Sequence, residues 1–386
     1  APQTGGSGGD GMRLTGARVF DPHKGFVNRT LCIEGERIVP EAGGREVALE
    51  GCLLIPGLTD LHFHGCRGAD FSDGDAEGLR TMAEYELSRG VTQICPAGMT
   101  LDKPQLMEIC RMAANHRKNT PGGAELVGVN LEGPFLSEAK KGAQNSAWLR
   151  EPDAQLLVEL LDESGGLVKL VSVAPELPGA LDFIRSVKDW VTVSVAHTAC
   201  TYDQAVAAFD AGAKQVTHLF NGMNAFAHRE PGPVGAAADS DCMVELICDG
   251  IHIHPAMVRA VFKLFGADRV ILISDTMRAA GMPDGQYPLG GQDVTVRGTR
   301  ATLADGTLAG SVTDLMECMR TAVSFGIPLV DAVRAAAWNP AKVLGIDSWA
   351  GSLEPGKMAN IAVLDADLSL RCVLFRGELA AGNLEL

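Results

Sequence analysis

Residues 191–221 read VTVSVAHTACTYDQAVAAFDAGAKQVTHLFN, and this stretch holds one complete unit of the fold. VTVSVAHT (191–198) and KQVTHLFN (214–221) are short β-rich apolar runs, and YDQAVAAFDAG (202–212) between them is an amphipathic helical stretch closed by Gly212. Strand, helix and strand in this order, with a glycine stopping the helix, is the pattern of a parallel βαβ unit.

The same alternation extends in both directions. LTDLHFH (58–64), VTQICPAG (91–98), LVGVNLEG (126–133) and VKLVSVAPE (168–176) precede the unit, and MVELICDG (243–250) and RVILISDT (269–276) follow it, making eight runs in all. Helical stretches at 76–90, 103–118, 152–165 and 254–266 separate most of them. The link 229–241, REPGPVGAAADSD, is thinner and reads as a functional loop with a short helix. Eight strands close a barrel, so the expected fold is α/β, a (β/α)8 TIM barrel over 57–349.

A barrel takes roughly 250 residues, and the chain has 386. The surplus lies at the ends. RLTGARVF, RTLCIEGERIV and VALEGCLLIP within 12–56, and GKMANIAVLD and LRCVLFRGE within 350–386, read as short strands, so both ends are expected to build one small β-sandwich domain. Residues 1–11, APQTGGSGGDG, have neither a basic nor an apolar segment and are expected to be a disordered leader or cloning remnant.

Apolar residues make up 46% and Gly 45 of the residues, a mix that suits an α/β enzyme with many short turns. The net charge of -15, from 48 acids against 33 bases, repels a phosphate backbone and argues against a nucleic-acid partner. No apolar run is long enough to span a membrane. Ten cysteines are scattered without a CxxC pair, which points to reduced thiols and a cytoplasmic location.

Barrel enzymes carry their chemistry at the C-terminal ends of the strands. His62 and His64 end the first run, Glu132 the third, His197 the fifth, His218 the sixth, Asp249 the seventh with His252 just beyond, and Asp275 the eighth. In HFH, strand alternation would turn both rings to one side, which suits two ligands to one metal and equally suits two polar strand-end histidines without one. Glu132, His197 and His218 form the two-imidazole, one-carboxylate set of a catalytic zinc shell. Asp275 closes a run so apolar that its carboxylate needs a partner, and it is the candidate general acid and base, with a helix N-cap before TMRAAG as the other reading. His252 is the candidate donor to a scissile carbonyl, ahead of His254, and Arg229 the candidate phosphate fork.

LEGPF, VAHT, THLFNGM, REPG, DGIH, SDT and LAGS, in this order, resemble the N-acetylglucosamine-6-phosphate deacetylases of the amidohydrolase superfamily. The resemblance spans nearly the whole chain, including PGLTDLHFHG at the barrel entry and the closing AWNPAKVLGI and GSLEPGKMANIAVLD. It implies a divalent metal, zinc by default or iron, on Glu132, His197 and His218, with Asp275 as catalytic acid and base and His252 aligning the acetyl carbonyl. It also implies substrate contacts at Ala143, Gln144, Asn221, Gly222, Arg229 and the Leu308, Ala309, Gly310 backbone, and a homodimer. Because this chain carries the HxH pair, His62 and His64 can hold a second metal bridged through Glu132, giving one or two per subunit. In KKGAQN the family pattern has His where Gln144 stands, and Gln cannot carry an imidazolium charge. The expected substrate is therefore N-acetyl-D-glucosamine 6-phosphate, with N-acetyl-D-galactosamine 6-phosphate as the alternative. Cyclic-amide hydrolases, which need a lysine where the fourth run ends VSVAPE, deaminases and a silent scaffold rank below.

Overall fold

The computed structural model describes residues 11–119 and 122–385. Apart from Gly11, the leader expected over 1–11 lies outside them.

The eight runs become the eight barrel strands: β1 (Leu58–Asp60), β2 (Val91–Ile94), β3 (Val129–Leu131), β4 (Val168–Val173), β5 (Thr192–Val195), β6 (Gln215–Val216), β7 (Met243–Ile247) and β8 (Val270–Ile273). Strands β3 to β8 form a continuous parallel ladder, and β2 pairs with β1 in parallel register. Ala97–Gly98, just past β2, joins β3. Beyond their ends β8 and β1 are tied by backbone bonds, Asp275 N–H to His62 O at 2.9 Å and His64 N–H to Thr276 O at 2.8 Å, which close the curl.

The strands are apolar on both faces because both faces are covered. In β8, Val270 and Leu272 join the cluster that packs under the helices, while Ile271 and Ile273 join a separate interior cluster with Leu61, Cys95, Leu170 and Ile247. Helices follow the strands at Ala76–Ser88, Lys103–Asn119, Ala154–Glu163, Ala180–Val187, Tyr202–Ala211, Gly232–Ala238 and Pro255–Phe265, all but Ala180–Val187 as expected. Gly212 and Gly266, both at positive φ, end two of them. The thin link after β6 holds the short helix Gly232–Ala238.

A sheet at the barrel mouth had no counterpart in the sequence reading. After β8 the chain forms a three-stranded antiparallel sheet, Gly285–Leu289, Gln292–Arg297 and Arg300–Thr302, before the helix Leu315–Ser324. It packs Leu289, Val294, Val296 and Ala301 against Met99, Met277 and Ala309 at the barrel mouth. Its first turn presses on the loop after β3: a Cβ on Gly290 would lie 1.9 Å from the Ala143 carbonyl, and φ there is +59°. Only glycine tolerates both conditions.

The two ends of the chain build two sheets that pack together and meet within one of them. One is four-stranded (Met12–Thr15, Leu31–Glu34, Arg37–Val39, Arg45–Ala48), and the other interleaves Arg18–Asp21, Gly25–Asn28 and Leu53–Pro56 with Ile361–Leu364, Leu370–Phe375 and Glu378–Gly382. Leu54, Ile361, Val363 and Leu374 face Leu14, Leu31, Ile33 and Val47 across the space between the sheets. The alternate residues Leu53, Ile55, Ala362, Leu364 and Val373 join the large cluster under the barrel helices. Period-two alternation thus serves two cores at once. Among the described residues no helix is long and apolar enough to cross a membrane.

Candidate metal centre and substrate cavity

The polar groups expected at the strand ends converge into one buried cluster. Glu132, His197, His218, His62, His64 and Asp275 are each no more than 7% exposed. Glu132 follows β3 and divides its two oxygens: Oε1 lies 2.8 Å from His197 Nε2 and 3.0 Å from His218 Nε2, while Oε2 lies 2.8 Å from His64 Nε2 and 3.2 Å from His62 Nε2. Asp275 Oδ1 sits 3.2 Å from His64 Nε2 and 3.4 Å from His62 Nε2. Two ligand sets result, Glu132–His197–His218 and His62–His64–Glu132–Asp275, each with donor atoms within 4.8 Å of one another and joined by the Glu132 carboxylate.

The HFH rings turn to one side, as alternation suggests, while Phe63 between them joins the helix-facing core. Strand β1 itself stops at Asp60, and beyond it the backbone is pinned by the bonds to Asp275 and Thr276 and by Asp60. The Asp60 carboxylate accepts from His62 N–H at 3.3 Å and from the Ser274 hydroxyl at 2.5 Å, stitching β1 to β8 below the site. The helix N-cap reading of Asp275 fails, because residues 275–282 form a bridge and turns with no helix. His197, His218 and Asp275 all adopt positive φ, of 42°, 26° and 48°. For residues with a Cβ this is a strained conformation, and such strain gathers at functional sites.

Burial and charge set the protonation pattern. Burial alone would raise the Glu132 carboxyl, but His62 and His64, with hydrogen bonds from His197 and His218, hold it well below the usual range. Asp275 is likewise held down, against its burial, by His62 and His64. Burial lowers His64, but Glu132 and Asp275 overcome it and push the imidazole up to about 10. Cation-free, the cluster therefore keeps protons on His62 and His64 at neutral pH, and a cation must displace them. Cation affinity is expected to fall as pH falls, with net proton release on binding that calorimetry in buffers of different ionisation enthalpy will register. In chelator-treated protein the His64 contribution to stability is full below its ordinary 6.5 and is lost as pH rises through about 10, so the thermal midpoint should fall over that interval. A midpoint that rises there would contradict this assignment.

The donors suit a divalent cation. Imidazole nitrogens and carboxylate oxygens are ligands that zinc takes, and three of the rings have Nδ1 tied away from the centre: His62 to Glu245, His64 to Ala97 O and His197 to Lys140 O. Their Nε2 atoms are thereby turned inward.

Above the cluster lies a cavity of about 310 Å³ lined by His64, Glu132, His197, His218 and Asp275, together with Ala143, Gln144, Asn221, Gly222, His252 and Leu308–Gly310. The predicted contacts are thus brought together, save Arg229, which is exposed on the loop after β6 and is not among the lining residues. Met99, Gly142, Ile247, Leu289 and Thr307 complete the wall and were not anticipated. Gln144 is buried and its Oε1 accepts from Thr100 N–H at 2.8 Å, which leaves its NH2 as the free donor. The Leu308–Gly310 strip is held to the acid by Ser311 N–H bonding to Asp275 O at 2.8 Å. His252 Nδ1 lies 2.8 Å from Asp249 Oδ2, and Asp249 Oδ1 accepts the Ile251 and His252 N–H groups at 2.9 Å, so the ring is fixed by a turn built on Asp249. His254 is exposed and accepts from Ala256 N–H as the cap of the following helix, which removes it as a candidate donor.

Residues 53–381 match the model of the amidohydrolase family. The chain belongs to that family. The N-acetylglucosamine-6-phosphate deacetylase of Bacillus subtilis (strain 168) is 38% identical to this amidohydrolase over 334 residues, 85% of this chain and 84% of the relative. The N-acetylgalactosamine-6-phosphate deacetylase of Escherichia coli O157:H7 is 37% identical over 332 residues, 85% of this chain and 88% of the relative. Among solved structures, a mutant N-acetyl-D-glucosamine-6-phosphate deacetylase from Mycobacterium smegmatis, in complex with N-acetyl-D-glucosamine-6-phosphate, matches with a TM-score of 0.90 at 34% identity, covering 97% of this chain and 100% of that one. Asp60 and Glu245 are residues of this amidohydrolase's site that sequence reading passed over, whereas Asp249 was read as a strand-end carboxylate without a role of its own. Glu245 had a signal, a lone carboxylate inside the apolar run MVELI.

Proposed function

We propose that this amidohydrolase removes the acetyl group from N-acetyl-D-glucosamine 6-phosphate, giving D-glucosamine 6-phosphate and acetate. The observation that carries the proposal is the division of Glu132 between two imidazole pairs at the floor of a cavity whose walls offer amide and backbone donors.

Glu132, His197 and His218 would hold one divalent cation, zinc by preference or iron, and His62, His64, Glu132 and Asp275 a second. When bound, a cation supplies Lewis acidity, bringing the pKa of water down to about 7 and polarising the amide carbonyl. The remaining work belongs to the chain. Asp275, ionised at neutral pH, takes a proton from the attacking water and passes it to the departing amine nitrogen. His252 presents Nε2 to the carbonyl oxygen. Since Nδ1 is committed to Asp249, this nitrogen donates only while the ring is doubly protonated. The Gln144 NH2, Asn221, Gly222 and the Leu308–Gly310 backbone orient the sugar. Arg229 is proposed as the phosphate partner, and from its exposed position it contributes only if its loop folds inward or a second subunit presents it. We further propose a homodimer, with Phe226, 45% exposed on that same loop, at the contact. Ten free, buried cysteines favour a reducing, cytoplasmic setting.

The galactosamine epimer is the second reading, favoured by Gln144 in the position that the family pattern gives to His. The test is acetate release from both phosphorylated epimers and from the unphosphorylated sugars, with metal content measured on the same sample. The expected result is release from N-acetyl-D-glucosamine 6-phosphate well above its unphosphorylated counterpart. A preference for the galactosamine epimer would transfer the assignment to it, and no release from either by metal-loaded protein would end both.

A further inference from the structure

We infer that Glu245 is a positioning residue that determines whether the His62–His64–Glu132–Asp275 group fills with a cation. The inference rests on the proposal that cations occupy this centre, and it adds a residue that lies behind the ligands rather than among them.

Glu245 sits mid-strand in β7, fully buried, between Val244 and Leu246, which point into the helix-facing core. A carboxylate in such surroundings is costly unless its oxygens are satisfied. Here Oε1 lies 2.7 Å from His62 Nδ1 and Oε2 accepts from Gln215 Nε2 at 2.6 Å, while the His218 backbone N–H approaches Oε1 at 3.4 Å. An ionised carboxylate only accepts hydrogen bonds, so the hydrogen of His62 belongs on Nδ1. When a cation displaces the second proton, the lone pair is then on Nε2, the atom that faces Glu132 Oε2 and Asp275 Oδ1. His64 and His197 are set the same way by the Ala97 and Lys140 carbonyls, which no side-chain substitution removes. Among the described residues, His62 is thus the one ring of the centre whose tautomer rests on a replaceable, charged side chain. Gln215 holds that side chain in turn, with its NH2 committed to Oε2.

A carboxylate behind a ligating imidazole both orients the ring and strengthens it as a ligand, and losing such a partner typically costs about 10- to 100-fold in metal affinity. The loss should be selective. Glu245 touches a ligand side chain of one group but only a backbone N–H of the other.

The experiment is a Co2+ titration of chelator-treated full-length protein, wild type beside Glu245→Gln and Glu245→Asp, following the visible absorption of bound Co2+ and its stoichiometry after equilibrium dialysis. Wild type is expected to bind two equivalents. Glu245→Gln should bind the first at wild-type affinity, which also reports that it is folded, and the second about 10- to 100-fold more weakly. Glu245→Asp, which restores the charge, should recover part of the loss. Equal weakening of both sites, or no change in either, would overturn the inference. Wild-type uptake of a single equivalent, unchanged in Glu245→Gln, would overturn it while leaving a one-cation deacetylase intact. No uptake by wild type would remove the metal proposal and this inference with it.

Discussion

Asp275→Asn is expected to lower kcat for acetate release by about 10²- to 10⁴-fold, the usual worth of a positioned acid and base, with little change in KM. The substitution keeps the shape of the side chain but removes the charge that receives the proton. The strained backbone at φ 48° is compatible with Asn, which tolerates the left-handed region better than most residues, so the fold should survive. The Glu132–His197–His218 set does not include Asp275 and should keep its cation. Steady-state kinetics with metal analysis of the same protein separates the outcomes. If metal-replete Asp275→Asn kept more than about a tenth of the wild-type kcat, the proton would be moving through another group and the role assigned to Asp275 would be wrong.

Glu132→Gln should act on both ligand sets at once. The four histidine Nε2 atoms lie 2.8 to 3.2 Å from its two oxygens, and an amide offers one oxygen and no charge where the carboxylate offers two oxygens and a full one. Bound metal is expected to fall to roughly a tenth of the wild-type ratio or less, with activity following it down. His62→Ala, by contrast, should empty only the set containing His64 and Asp275. A Glu132→Gln protein that kept its full metal complement would show that the carboxylate is not the shared ligand. Loss of both cations in His62→Ala would show that the two sets are not separable.

The chemistry was more legible in the sequence than its support. Glu132, His197, His218 and Asp275 could be found because each interrupts or ends an apolar run, and in a barrel the end of a run is the mouth. The eight runs showed themselves for a related reason: residues such as Val270 to Ile273 are buried on both faces, which leaves an unbroken apolar signature. The supporting residues were harder to place: Glu245 interrupts the apolar run MVELI, but nothing in the run names its partner. Whether Glu245 meets His62, and whether Asp60 joins β1 to β8, depends on which strands lie side by side in space. The HFH pair turned to one side as its spacing suggests, but the bonds that pin its backbone beyond β1 come from distant segments. The sheet over 285–302 escaped because its strands are short and half exposed, and its apolar residues find their partners at the barrel mouth. Arg229 shows the opposite case, a residue whose chemistry is plain and whose position is not.

The sheet that interleaves both ends of the chain bears on how the molecule is made. Leu53–Pro56 leaves the ribosome well before one of its neighbours in the sheet, Ile361–Leu364, which lies at the far end of the barrel in sequence. Until then an apolar strand has an unpaired edge, the kind of surface on which nascent chains stick to one another. The barrel can gather strand by strand from sequence-local units, whereas this sheet must wait until Ile361–Leu364 and the strands after it have emerged. A ribosome-stalled or prematurely terminated product lacking residues beyond about 350 would therefore carry every ligand of the metal centre and still present an open edge, making it a substrate for chaperones and proteases rather than a working smaller enzyme.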